Sequence, residues 1–345
     1  MVQSRRATIG DVAERAGVTK GTVSLAYSGK RPVSEATRRR IFDAAEELRW
    51  TPSHSARALA TSRTGAVGLV VARDPEVLAT DHFFAKFISG CERVLAEHDM
   101  GLMLHAVATR EAENAVYERL AAGRADGVIL LDVEIDDPRF ALMKRLDLPA
   151  VVLTAREPAV GETAGLPAVY SDDVPAITEL VRLMAASGHE RIAHVAGPVR
   201  YVHGRIRRDA FTAAMRAHGL DGHLVLEGDF TAASGRDCTS RLLDGPQPPT
   251  AIIYANDMMA MAGLSLARSR GLRVPEDLSL SGYDDSELAA HLSPGLTTVS
   301  TGAAQRGELA VRTLLAVLAG EEPEHALADH TTVVPRGSIA PPPRH

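Results

Sequence analysis

From Gly65 onward short apolar runs alternate with longer amphipathic stretches, and no other feature of the 345-residue sequence restricts its fold as strongly. The runs lie at 66–72, 102–107, 127–131, 151–154, 191–196, 224–227, 250–255 and 278–282. They lack the strict two-residue alternation of a half-exposed sheet, so they read as strands buried on both faces. Helical stretches fall between them at 87–97, 111–122, 176–186, 207–218 and 258–270. A repeating strand–helix unit implies parallel sheets covered by helices. There are too many units for one comfortable open sheet, and the Pro- and Gly-bearing stretch 156–167 offers a break. The expectation is an α/β body of two lobes with a cleft between them.

Charge divides the chain differently. Residues 1–63 carry 12 Lys or Arg against 6 Asp or Glu, whereas the whole chain has a net charge of −6. A basic head on an acidic body suits a polyanion bound at one end. The head reads as three short helices. Thr8 caps the first, at 9–16, with Asp11 near its positive end, and Gly17-Val18 breaks it. Thr19 caps a second, at 20–27, with Val23 and Ala26 facing inward. Ser34 caps a third, with Ile41, Ala45 and Leu48 on one stripe. Helix, tight turn, helix is the DNA-reading arrangement. Three helices could equally form a structural bundle, but the outer face of the second offers Lys20, Gly21, Thr22, Ser24 and Leu25. These are small or hydrogen-bonding groups suited to base edges.

Beyond Pro52 comes a segment too short and too poor in apolar surface to be a stable helix alone. It places Leu59 beside Ala58 and Arg57, which fits an apolar wedge entering a minor groove with a cation nearby. The plainer reading is a linker with one leucine. The run TIGDVAERAGVTKGTVSLAYSGKRPVSEATRRRIFDAAEELRWTPSHSARALATSRTGAVGLVV resembles, almost without a break, the lactose- and galactose-repressor type of bacterial transcription regulators. The resemblance implies a hinge helix around Ala58 and Leu59 that folds on the operator, with base specificity carried at Lys20, Gly21 and Leu25. Leu25 departs from the arginine that the family commonly has there. An aliphatic side chain cannot donate two hydrogen bonds to guanine, so reading shifts toward a thymine methyl or shape.

The resemblance continues to about Gly337 as an effector domain like those of periplasmic sugar-binding proteins. In such sheets ligands lie beyond the carboxyl ends of the strands. Asp81, Phe83 and Phe84, then Arg205, Phe230, Asn256-Asp257 and Asp284-Asp285 follow strands in this way. A carboxylate accepting from hydroxyls, a guanidinium and an amide donating, and an aromatic face covering a ring together make a polyol site. The resemblance implies effector contacts at Arg205, Asn256 and Asp284. Asn256 and Asp257 also read as helix caps, Phe83 and Phe84 as core, and Arg207 and Arg208 as salt-bridge partners.

The expected organisation is a helix-turn-helix domain at 1–50, a hinge at 51–64 and an effector and dimerisation domain at 65–340. Its first lobe takes about 65–168 and 298–328, its second about 169–297 and 329–340. The expected protein is a homodimer on a palindromic operator, most simply a repressor, controlled by a small molecule, a sugar first and a purine or nucleoside as the alternative. A sugar receptor with no DNA role would need an export signal and no basic head. No phosphate loop, nucleophile elbow or metal-ligand spacing is present, and Cys91 and Cys238 stand apart, so no enzyme activity, cofactor or metal is expected. No apolar run reaches the ~18 residues of a membrane span, which points to the cytoplasm without membrane contact. The tail after Gly337 is proline-rich without leucine heptads, so a coiled-coil tetramer is not expected.

Overall fold

The computed structural model describes residues 7–28, 32–51, 63–328 and 331–343. The head has α1 (Ile9–Ala16), α2 (Lys20–Ser28) and α3 (Glu35–Glu47). Thr8 and Asp11 form a reciprocal capping box, and Gly17 ends α1 in the left-handed region at φ 66°. Val12, Val23 and Ile41, one from each helix, are fully buried against each other, and the Tyr27 ring packs edge-on to Phe42 and Trp50. The expected stripe of Ile41 and Ala45 is buried, with Leu48 packed beside it.

The body is two parallel sheets. The first lobe contributes β1 (Ala66–Val71), α4 (Pro75–Thr80), α5 (His82–Glu97), β2 (Gly101–Ala106), α6 (Arg110–Ala121), β3 (Gly127–Leu130), α7 (Pro138–Leu146), β4 (Ala150–Thr154) and β5 (Ala168–Tyr170). The second contributes α8 (Val174–Ala186), β6 (Ile192–Ala196), α9 (Val202–Ala217), β7 (Val225–Glu227), α10 (Ala232–Leu243), β8 (Ala251–Tyr254), α11 (Asp257–Ser269), β9 (Ser279–Ser281) and α12 (Glu287–His291). The chain then runs through β10 (Thr298–Ser300), α13 (Ala303–Leu318), β11 (Ala326–Leu327) and β12 (Thr332–Val334). Strand order is β11-β5-β4-β3-β1-β2 in the first sheet and β7-β6-β8-β9 in the second, with β10 and β12 forming an antiparallel pair. All eight apolar runs read from the sequence are strands. Among the described residues no helix is long and apolar enough to cross a membrane.

Two expectations about the division into lobes need correcting. Stretch 156–167 joins β4 to β5 within one sheet, so the first crossing comes after Tyr170. Strand β10 pairs with β12 beside the second lobe, so the return crossing falls between Ser300 and Ala303 rather than at 298. After that crossing α13 packs against α5 with almost no gap. A Cβ on Gly90 would lie 1.9 Å from the Ala304 carbonyl oxygen, and one on Gly307 would lie 2.2 Å from that of Phe87. The pair buries Phe87, Cys91 and Val94 with Ala310, Val311 and Leu314 against Leu69 and Ile129 of the sheet.

The tail straps the edge of the second sheet. The Leu280 amide donates to the Ser338 carbonyl at 2.9 Å, and Ser338 Oγ donates to the Leu280 carbonyl at 2.6 Å. His189 Nε2 reaches the Ala340 carbonyl at 2.8 Å, and burial holds this imidazole below its ordinary range.

Candidate DNA-reading head and effector cleft

Helix α2 presents its outer face as its sequence implies. Thr19 Oγ1 accepts from the Thr22 amide at 3.2 Å and lies 2.9 Å from the Thr22 hydroxyl, so both threonines brace the start of the helix. Lys20 and Gly21 are exposed, while Thr22, Ser24 and Leu25 are half-buried. Thr8 is exposed at the start of α1, with its amide donating to Asp11 Oδ2 at 2.7 Å. Arg57, Ala58 and Leu59 lie outside the described residues.

The cleft forms where the carboxyl ends of both sheets meet, as a narrow cavity open to solvent. From the first lobe, Arg73 follows β1, Asp132 follows β3 and Thr154 ends β4, while the start of α5 adds Phe83 and Phe84. From the second, α9 brings His203 and Arg207, and the loops after β7 and β9 bring Phe230 and Asp284. Arg306 enters from the first turn of α13.

Two of the three guanidiniums are held by carboxylates. Arg73 grips Asp132 through Nε at 2.6 Å and through Nη2, and its Cζ sits 4.5 Å from the Phe230 ring centre and 5.0 Å from that of Tyr201. Burial alone would raise the Asp132 carboxyl, but the Arg73 charge and hydrogen bonds reverse this and hold it below the usual carboxylate range. Arg207 Nε donates to Asp173 Oδ2 at 2.7 Å and its Nη1 to the Ala255 carbonyl at 3.1 Å, over the Tyr283 ring at 3.7 Å. Asp173 is likewise held low despite complete burial. Arg207→Ala would strand that carboxylate, and a loss of about 3–5 kcal/mol is expected in denaturant unfolding. A loss below about 1 kcal/mol would show that water replaces the guanidinium.

The aromatic and acidic walls have distinct causes. Phe230 adopts a left-handed backbone at φ 72°, and its ring covers Gly197, where a Cβ would come within 2.2 Å of it. The His203 ring lies between Tyr201 and Phe230 at 5.4 and 5.7 Å, and burial, then the Arg207 charge, push it down to about 3, so it is neutral. Asp284, at φ 97°, is only 7% exposed. Its carboxyl is pushed well above the usual range by burial first and by Asp81 second. Hydroxyl groups entering here would meet acceptors and donors on one side and aromatic faces on the other.

A profile described as "Bacterial regulatory proteins, lacI family" matches residues 8–53, and one described as "Periplasmic binding protein-like domain" matches 181–339. The HTH-type transcriptional regulator CelR of Thermobifida fusca is 34% identical over 333 residues, covering 94% of this chain and 95% of the relative. The chain belongs to the lacI family. Among solved structures, the CelR–cellobiose complex superposes with a TM-score of 0.73 at 32% identity, over 96% of this chain and 100% of the other. The lac repressor dimer bound to operator and the anti-inducer ONPF superposes with a TM-score of 0.83 at 26% identity, over 97% and 100%. As a lacI-family member the chain is a DNA-binding transcription regulator and not an enzyme.

Set in this lacI-family body, the sequence-predicted site residues divide. Phe83, Phe84, Phe230 and Asp284 line the cavity together. Arg205 does not; it is exposed, and Arg207 supplies the guanidinium instead. The reason is the start of α9 at Val202, which puts positions 203 and 207 on one helical face and 205 nearly opposite. Asn256 is buried behind the wall with its amide fully used. It accepts from the Met259 amide at 2.9 Å and donates to the Phe230 carbonyl at 2.9 Å and to Asp81 Oδ2, across the lobes, at 3.4 Å. It therefore caps α11 and positions Phe230. Asp257 also acts structurally, accepting from the Ser286 amide and the Thr298 hydroxyl, each at 2.6 Å. Sequence reading missed Arg73, Asp132, His203 and Arg306. Arg73 and Asp132 carried the same post-strand signal as the residues that were found. Arg306 had none, because neither β10 nor α13 was legible.

Proposed function

We propose that the chain is a repressor that binds a palindromic operator as a homodimer and that a sugar bound between the lobes sets its operator affinity. The observation that carries this reading is the cleft itself. Phe83, Phe84 and Phe230 with Arg207 and Asp284 sit at the carboxyl ends of both sheets, in a chain whose head carries α1, capped by Thr8, followed by a tight turn and α2. The cellobiose bound by CelR and the operator bound by the lac repressor dimer support the same assignment. Closure also has a physical basis. Lys86 Nζ donates to the Asp285 carbonyl at 2.5 Å and the Val202 amide to the Val133 carbonyl at 2.8 Å, so contacts that a ligand would favour or oppose already bridge the lobes. Ligand and operator then compete through one equilibrium with a coupling on the order of 1–3 kcal/mol.

The test is fluorescence anisotropy of the full chain on palindromic and random duplexes over a salt series, with and without a panel of mono- and disaccharides. Preferential palindrome binding that weakens steeply with salt, and that one sugar alters, is the expected result. No preference for any palindrome would end the proposal. Within the same assay, Leu59→Ala is expected to weaken operator binding about ten-fold or more while leaving random-duplex binding within about two-fold. Equal loss on both duplexes would remove the wedge role from Leu59.

A further inference from the structure

Arg306 is the third guanidinium of the cleft, and it differs from the other two in having no carboxylate to hold it. It is 5% exposed and lines the cavity. Of its five N–H donors only one makes a hydrogen bond among the described residues, from Nη2 to the Thr154 carbonyl at 3.3 Å, and its buried Nε has no partner. The carboxylate that most favours its charge, Asp173, makes no hydrogen bond to it and already accepts from Arg207 at 2.7 Å and from the Ser171 hydroxyl at 3.0 Å. Asp132 is committed to Arg73. Asp81 and Asp284, the remaining acids of the cavity, make no hydrogen bond to Arg306 among the described residues, and burial raises both carboxyls above the usual carboxylate range. The Phe83 ring, 5.4 Å from the Arg306 Cζ, gives partial relief. A buried cation without a counterion is costly, and its removal by a ligand anion is correspondingly favourable. A planar fork with unused donors matches a carboxylate, which takes two parallel hydrogen bonds and the charge at once.

We propose that Arg306 determines effector specificity and that the effector is a sugar acid, its carboxylate on Arg306 and its hydroxyls toward Asp284. This rests on the cleft being the effector site. A neutral sugar would satisfy donors of Arg306 but leave its charge unanswered. A phosphate dianion would call for more than one free cation, and Arg73 and Arg207 are already paired.

The experiment is calorimetric titration of the full chain with D-glucuronate, D-galacturonate and D-gluconate, each beside its neutral counterpart D-glucose, D-galactose or sorbitol, with glucose 6-phosphate and cellobiose as further arms. At least one acid is expected to bind about ten-fold or more tightly than its neutral counterpart. Arg306→Met should erase that preference, weakening the acid about ten-fold or more and changing the neutral sugar less than about three-fold. If Arg306→Met does not fold, Arg306→Lys should keep the sign of the preference and reduce its size, since the charge stays and the fork is lost. Neutral sugars binding as tightly as the acids, a preference for the phosphate, or a preference untouched by either substitution overturns the inference. Binding of cellobiose alone would overturn it while leaving the cleft as the effector site. Silence of the whole panel would count against both readings.

Discussion

Asp284→Ala is expected to abolish the effector response while operator affinity in the absence of effector stays within about three-fold of wild type. The carboxyl contributes no hydrogen bond to the fold among the described residues; it is the backbone amide of Asp284 that is used, donating to the Val299 carbonyl at 2.9 Å. A hydrogen bond from a ligand is worth about 0.5–1.5 kcal/mol to a neutral partner and about 1.5–3 kcal/mol to a charged one, so the loss of one or two weakens the effector about ten-fold or more. Position 284 lies at φ 97°, where alanine is strained and asparagine is tolerated better. Asp284→Asn therefore separates the two effects. It should also weaken the effector by about ten-fold or more without the drop in melting temperature that strain causes in the alanine variant. Effector titration monitored by release from a labelled operator duplex measures both, and a normal response in either variant would take Asp284 out of the site.

A large effect on stability is also expected at Gly90. Its α-carbon faces the backbone of α13 so closely that a methyl group would sit 1.9 Å from the Ala304 oxygen, and no side-chain rotation relieves a clash with main chain. Gly90→Ala must push α5 from α13 and open the core around Phe87 and Val311, at a cost of about 3 kcal/mol or more. Gly101→Ala serves as the control, because a Cβ there meets nothing within 4 Å and the change should cost less than about 0.5 kcal/mol. Urea unfolding of the two variants gives the comparison. Similar midpoints would mean that the two helices separate without loss.

Much of this was legible because period and punctuation are local properties. Thr8, Gly17 and Ser34 mark helix ends through hydrogen bonds to residues a few positions away, so the first two helices of the head fall within a residue of their expected limits and the third begins at its expected cap. Six of the eight strands stood out because both faces are covered, whereas β2 and β7, at the sheet edges, are partly exposed and were found from their apolar composition alone. What could not be read depends on distance in sequence. β10, β11 and β12 are two or three residues long and acquire their pairing from strands elsewhere, β5 among them, so no periodicity announces them. The choice between Arg205 and Arg207 turned on where α9 begins, an offset of a few residues that reverses which side of a helix faces the cleft. Asn256 follows its strand as a ligand residue would, yet only the neighbouring Phe230 carbonyl and Asp81 reveal that its amide is already engaged.

The passage of the chain into the second lobe and back before α13 has a bearing on synthesis. The helix that covers one face of the first sheet and the strand that closes its edge come from residues 303–327, more than 130 residues after β5 has been made. While the second lobe is being translated, the nascent first lobe holds Phe87, Val94 and Ile129 without the partners that later cover them. A ribosome stalled before residue 303 would therefore present an open apolar surface to chaperones and proteases, although most of the strands of that sheet had already emerged.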